Sequence, residues 1–269
     1  MCSDVSKKPR IGARCNIDPT VQIDSRARIG KGCRIGFGSR LMGNVVLGDH
    51  VWVESNVTFC GSVDVGDRVY IGSNCTLGHL DRKRLKRTLT GEGIASDYRR
   101  RVVVGDDCTI RQGCVIYSPS RIGSKVEFGH NVVVRENVAI GERTLVGTGV
   151  VIDGESSIGE DVSIQTDAYI CRRSAVADRV FLGPRCVFLN DKYMMLKKPR
   201  MIGPTVGEGS AIGGNSTLMP GIRVGRMAVV GSGAVVTRNV PDRTVYVGVP
   251  AKKLKTTPRD WRSLLRRRL

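Results

Sequence analysis

Asn190 and Asp191 place a carboxamide beside a carboxylate at the head of an aperiodic stretch, residues 190–205, that also carries Tyr193, Arg200 and three lysines. A carboxamide orients a ligand through its donors and acceptor, and a carboxylate holds or deprotonates an amine. Asn-Asp is equally common turn chemistry, so a purely structural use of the pair stands beside the catalytic one. His130, in the phrase FGHNVVV, is the rival base, because imidazole changes charge near neutral pH. The three histidines, His50, His79 and His130, are separated by 29 and 51 residues with no close pair. That spacing does not suit a shared zinc centre, and no metal is expected.

Phosphate recognition is the other chemistry in view. The formal net charge is +18; residues 79–101 hold eight Lys/Arg against three acids, and residues 252–269 hold eight against one. These two runs account for twelve of the eighteen net charges, so the rest of the chain is close to balanced. Each run reads either as a phosphate-binding segment or as solvated surface, the second one capping an open end with Trp261, Leu264 and Leu265. Aromatic residues near them are few, Tyr98 and Trp261, which disfavours binding of single-stranded nucleic acid by stacking.

These groups must be positioned by a repeat of six. From Ile11 to Leu77, from Val104 to Phe188 and from Val206 to Val236 every sixth residue is Val, Ile, Leu or Phe, in twelve, fifteen and six steps. Eighteen of the 33 glycines directly follow this lead position, where a tight corner calls for backbone without Cβ. The fifth position is small or β-branched and takes six of the nine cysteines: Cys15, Cys33, Cys75, Cys108, Cys114 and Cys186. They read as buried filler, not as metal ligands or bridges. A period of six with inward first and fifth positions fits a short strand plus corner, repeated and stacked about 4.8 Å apart. A narrow interior also explains an aromatic content of only 5%. The pattern therefore predicts an all-β parallel solenoid. No apolar run reaches the roughly 18–20 residues of a membrane span. MCSDVSKKPR leads into no apolar signal region, so the expected address is cytoplasmic.

The pattern [IVL]-G-x-x-[small]-x over residues 11–250 resembles the hexapeptide-repeat acyltransferases. That resemblance implies a left-handed parallel β-helix, a triangular prism of about eleven coils with three hexads to each coil. Because each block holds a multiple of three hexads, both interruptions should leave the prism at the same corner, five coils or about 24 Å apart. The expected divisions are an N-terminal tail (1–10), a first block of coils (11–78), a basic insertion loop (79–103), a second block (104–189), an active-site loop (190–205), acyl-CoA-binding coils (206–250) and a basic C-terminal helix or cap (251–269).

Within the family, FLGPRCVFLNDKY with a following Pro-Arg resembles the nucleotide-sugar N-acetyltransferase branch, which acetylates an amino group on a UDP- or dTDP-linked sugar for surface-glycan biosynthesis. The branch implies acetyl-CoA as cosubstrate and a homotrimer with sites between subunits. Carried over to this sequence, pantetheine would run along Gly213, Gly214, Gly231 and Ser232. The adenine and phosphate end would lie near Thr237, Arg238, Lys252 and Lys253. Asn190 would orient the sugar, Asp191 would hold or deprotonate its amine, and Tyr193 and Arg200 would contact the substrate. FGHNVVV also resembles the His-Asn-Val-Val of the acyl-carrier-dependent N-acyltransferases of lipid A assembly, where the histidine is the base. Members of the sugar branch are shorter on the N-terminal side, so the first block and its basic loop carry no assigned role. Two alternatives stand beside this reading: another hexapeptide O- or N-acyltransferase using His130, and a non-catalytic basic scaffold that binds nucleic acid.

Overall fold

The computed structural model describes residues 8–90, 100–198 and 200–265. Nearly every hexad forms a strand of two or three residues ending on its apolar lead position, and each lead residue pairs in parallel with the one a full coil later. Ile11 meets Ile29, Ile17 meets Ile35 and Ile23 meets Leu41, each 18 residues apart. The result is the expected parallel β-helix, with winding consistent with the left-handed form. Its interior is a column of lead and fifth residues, with Phe59, Phe128 and Phe188 the largest side chains fully enclosed.

Each coil crosses three faces. The first begins at Ile11, the second at Ile17 and the third at Ile23. The second face holds thirteen strands, two more than its eleven hexads. The extra pair is a last parallel strand over Thr244–Val247, where the hexad pattern has lapsed, and an antiparallel strand over Lys252–Thr256. The prism is thus slightly longer than eleven coils.

Glycines that follow the lead residue are required for a reason other than the corner turn. Apart from Gly78, at the first interruption, they do not adopt positive φ; the left-handed residue lies three places after the lead, as at Asn56, Asp107 and Gly149. A Cβ on Gly141 would instead sit 2.6 Å from the backbone of Gly159 in the next coil. Close coil stacking, not turn geometry, excludes the side chain there. The fifth-position residues tie the coils together: Cys33 Sγ donates to Gly48 O at 3.2 Å and Cys108 Sγ to Gly123 O at 3.1 Å. Thr144 and Ser210 make the same bond to Gly159 and Gly225. The described cysteines are all free thiols.

Both interruptions leave the prism at the corner between the third and first faces. Leu77 and Phe188 end third-face strands, and Val104 and Val206 resume on the first face. The first is more than a loop. Its strand continues to His79, and Asp81 then caps an eight-residue helix, α1 (Arg82–Leu89), by accepting from the amides of Lys83 and Arg84. Residues 91–99, including Tyr98, lie outside the described residues.

The expected C-terminal helix is absent among the described residues. Lys252–Thr256 is a strand that covers the free edge left by Thr244–Val247, and residues 257–265 contain no α-helix. Thr257 is buried and donates through Oγ1 to Met227 O at 3.1 Å. Ser263 Oγ donates to Arg179 O at 2.9 Å. The tail therefore runs back down the flank of the prism instead of across its open end. Residues 266–269 lie outside the described residues.

Candidate active site

Asn190 and Asp191 open the second excursion at that shared corner. Asn190 Nδ2 donates to Arg172 O in the coil below at 3.4 Å, and Asn190 O accepts from the amide of Ile202 at 3.1 Å. Ile202 O in turn accepts from the Gly221 amide at 3.0 Å. The returning chain thus fills the rung between Asn190 and the coil above it.

Asp191 shapes the loop directly. Its Oδ1 accepts from the Tyr193 amide at 2.8 Å and its Oδ2 from the Met195 amide at 2.7 Å. Each oxygen keeps a second lone pair for a ligand. Tyr193 stands 44% exposed beneath the ammonium groups of Lys192 and Lys197, which lie 5.9 and 5.4 Å from the ring centroid. Met194, Met195 and Leu196 form an exposed apolar tip, and Arg200 is exposed on the return.

The remaining candidate residues fall into two groups on two corners. Thr237 and Arg238 follow Val236, which pairs with Leu218, itself paired with Phe188. They therefore stand two rungs above Asn190 on the same corner. Gly213, Gly214, Gly231 and Ser232 occupy the corner between the second and third faces. Ile212, Val230 and Tyr246 lie on consecutive rungs there, and Tyr246 pairs with Lys253 and Val247 with Lys252. One sheet thus carries the glycines and both lysines, while Thr237 and Arg238 lie across the third face from them. A Cβ on Gly231 would meet the Val247 side chain at 2.8 Å, and one on Gly214 would come 3.1 Å from Pro184 O. Packing alone accounts for these glycines.

His130 is exposed and also belongs to the second corner. Its coil lies three rungs below that of Asn190, from Val134 through Ile152 and Ile170 to Phe188. Within one chain the two candidate bases are separated by the width of a face as well as by about 14 Å of height.

Below Asn190 the shared corner carries an array of charges that inspection of the motifs missed. Glu136 is only 8% exposed and accepts from Arg135 Nε at 3.1 Å, with Arg172 Nη1 3.8 Å away. Arg135 also approaches Asp153 at 3.7 Å and lies 4.8 Å over the Tyr117 ring, which contacts His79 at 4.6 Å. Glu155 binds both Arg172 and Arg173. Those two guanidinium groups hold its carboxyl down at about 2. Burial, with Asp153 nearby, pushes the Tyr169 hydroxyl up. The signature is arithmetic: Glu136, Arg172 and Asn190 differ by 36 and 18 residues, whole multiples of one coil. Among the described residues no group of three His, Cys, Asp or Glu is arranged to hold a metal ion. No helix there is long and apolar enough to cross a membrane.

Comparison with known proteins agrees with the repeat. The model described as bacterial transferase hexapeptide (six repeats) matches residues 44–79, and that described as hexapeptide repeat of succinyl-transferase matches residues 26–58, 119–154 and 205–238. A 2,3,4,5-tetrahydropyridine-2,6-dicarboxylate N-acetyltransferase of Staphylococcus aureus (strain bovine RF122 / ET3-1) is 42% identical over 59 residues, 22% of this chain and 25% of that protein. The chain thus matches about a quarter of the length of such curated relatives. Among solved structures, the UDP-N-acetylglucosamine acyltransferase of Arabidopsis superposes with a TM-score of 0.53 at 16% identity, covering 93% of this chain and 71% of that one. The GDP-perosamine N-acetyl transferase of Caulobacter crescentus, in complex with CoA and GDP-perosamine, gives a TM-score of 0.42 at 25% identity, covering 68% and 70%.

Proposed function

We propose that this chain, built of the hexapeptide repeats of the bacterial transferases, is an acetyl-CoA-dependent N-acetyltransferase acting on the amino group of a nucleotide-linked sugar. The observation that carries the reading is the shared corner. There Asn190 and Asp191 open an excursion with Thr237 and Arg238 two rungs above and the Arg172 ladder below.

The reaction asks for alignment more than for strong acid–base groups. The sugar amine attacks the thioester carbonyl, a tetrahedral oxyanion forms, and its collapse expels the CoA thiolate and leaves an amide. One proton leaves the amine, to a side chain or to the departing thiolate. Holding the two reactants together supplies most of the acceleration, and an amide N–H aimed at the oxyanion supplies more. In this reading Asn190 orients the sugar, and Asp191 accepts a hydrogen bond from the amine through its free lone pairs. Tyr193 and Arg200 line the approach. Gly213, Gly214, Gly231 and Ser232 offer flat backbone to pantetheine, with Lys252 and Lys253 at the end of the same sheet for phosphates.

Thr237 and Arg238 stand on the other corner, so a single CoA touching both groups would lie between neighbouring subunits. A homotrimer of parallel prisms would accommodate that arrangement, with His130 still about 14 Å below the level of the excursion. Sedimentation analysis tests the assembly, and acetyl-CoA consumption with amino-sugar nucleotides tests the activity. Absence of turnover with every UDP- and dTDP-linked amino sugar would remove the substrate assignment.

A further inference from the structure

The first excursion builds a cavity on the same corner, five rungs from Asn190, that the proposed acetyl transfer does not employ. Ordinary coils turn sharply at this corner. Here the chain instead runs straight round it in two eight-residue strands, β1 (Arg40–Leu47) and β2 (Thr58–Val65), paired in register throughout. Gly43, Gly61 and Gly78 make this possible. All three have positive φ, Gly43 stacks on the Gly61 backbone, and a Cβ on Gly78 would meet Val63 at 3.1 Å. Helix α1 stands over the resulting flat surface. Between them lies a cavity of about 580 Å³, within the range of pockets that take small organic ligands.

Its walls are apolar and its rim is cationic. Met42, Cys60, Leu80 and Leu85 line the interior, with Met42 and Leu85 close to half exposed. Arg26, Arg84 and Arg100 line the rim against a single lining carboxylate, Asp24. Arg26 pairs with Asp24 at 2.8 Å, and Arg100 lies 3.8 Å from the cap Asp81. The three guanidinium groups outnumber the one lining carboxylate, and Asp81 shares the charge of Arg100 from outside the lining. A cavity with a hydrocarbon wall and a guanidinium rim complements an amphipathic anion. Exposed apolar side chains gathered in a concave site are also unusual without an occupant.

We infer that this cavity binds a medium-chain alkyl group carrying a phosphate or carboxylate head, the chain against Met42, Cys60 and Leu85 and the head between Arg84 and Arg100. The site is independent of acetyl transfer, and its test uses no turnover.

Cys60 is a built-in reporter, partly exposed inside the cavity, and Cys15, partly exposed on the first coils, is its control. Alkylation of each by N-ethylmaleimide is followed by peptide mass spectrometry on the full chain. Octyl phosphate should slow labelling of Cys60 at least tenfold and leave Cys15 unchanged, with octanoate acting in the same way. Arg84→Glu and Leu85→Asp, both on a helix with no buried residue, should each reduce that protection at least fivefold. Calorimetric titration of octyl phosphate supplies a thiol-independent measurement: one site per chain, weakened at least tenfold by Arg84→Glu. Absence of both heat and protection overturns the proposal. Equal protection by inorganic phosphate overturns the alkyl part, and equal protection by octanol overturns the anionic part.

Discussion

Asn190 is bonded to the coil beneath it: its side-chain amide donates to the backbone carbonyl of Arg172, 18 residues earlier and one rung down on the same corner. That relationship joins the excursion to a fixed array of charges. Glu136 and Glu155 hold the Arg172 side chain, the latter also gripping Arg173. The base of the candidate site is therefore rigid, while its exposed tip at Met194–Leu196 is free to meet a ligand or a neighbouring subunit.

Glu136 is the member whose loss should be felt most. Its carboxylate is nearly buried between Arg135 and Arg172, which are each more than a third or close to a third exposed. Removing one partner of a buried pair costs about 3–5 kcal/mol, and the partial exposure of the arginines reduces this to about 1–3 kcal/mol. Glu136→Gln should lower the thermal midpoint by roughly 2–4 °C for each kcal/mol. A midpoint equal to wild type would show that the array contributes nothing to stability.

Glu155 gives the array a pH signature. Its folded-state pKa is depressed to about 2 by hydrogen bonds from Arg172 and Arg173, against an ordinary value of 4.5. A depressed carboxylate contributes stability that is complete above the unfolded value and lost as pH falls through the folded one. The advantage of wild type over Glu155→Gln should therefore be constant above about pH 5 and shrink between pH 4.5 and 2. Thermal melts of both proteins across that window provide the check, and parallel curves would contradict the assignment.

Two glycine substitutions separate the two reasons for glycine in the coil. Gly141 has an ordinary φ but faces the Gly159 backbone, whereas Gly233 has φ +70° and open space around the missing Cβ. Gly141→Ala should cost about 3 kcal/mol, the upper end of overpacking penalties, because the obstructing atoms are backbone. Gly233→Ala should cost about 1–2 kcal/mol from the left-handed conformation alone. Chemical denaturation measures both, and the reverse order would mean that the coils can slide apart.

Much of this architecture was legible in advance because a two-residue strand and corner must repeat to bury anything. The lead residues from Ile11 to Val236 fixed the coil length, and the block sizes placed both excursions on one corner, as Leu77 and Phe188 confirm. Other features depend on neighbours a coil away. Gly141 looks like a turn glycine until Gly159 is set against it. Glu136 and Arg172 look unrelated until residues are counted in eighteens. The tail misled for a different reason. Thr257-Pro258 is a sound helix start by local preference, but the open edge of Thr244–Val247 captured Lys252–Thr256 as a strand and drew Thr257 onto Met227. Helix α1 went unseen because a run dominated by Lys and Arg has little apolar periodicity to mark it.

The most direct test of the proposed activity is acetyl-CoA consumption against a panel of UDP- and dTDP-linked amino sugars, with wild type beside Asn190→Ala, Asp191→Ala and His130→Ala. One amino sugar should turn over. Both loop variants should lose about a hundredfold or more in kcat/KM, the scale of a positioned polar group or base, and His130→Ala should stay within about threefold. Full activity in both loop variants, or a loss confined to His130→Ala, would contradict the account.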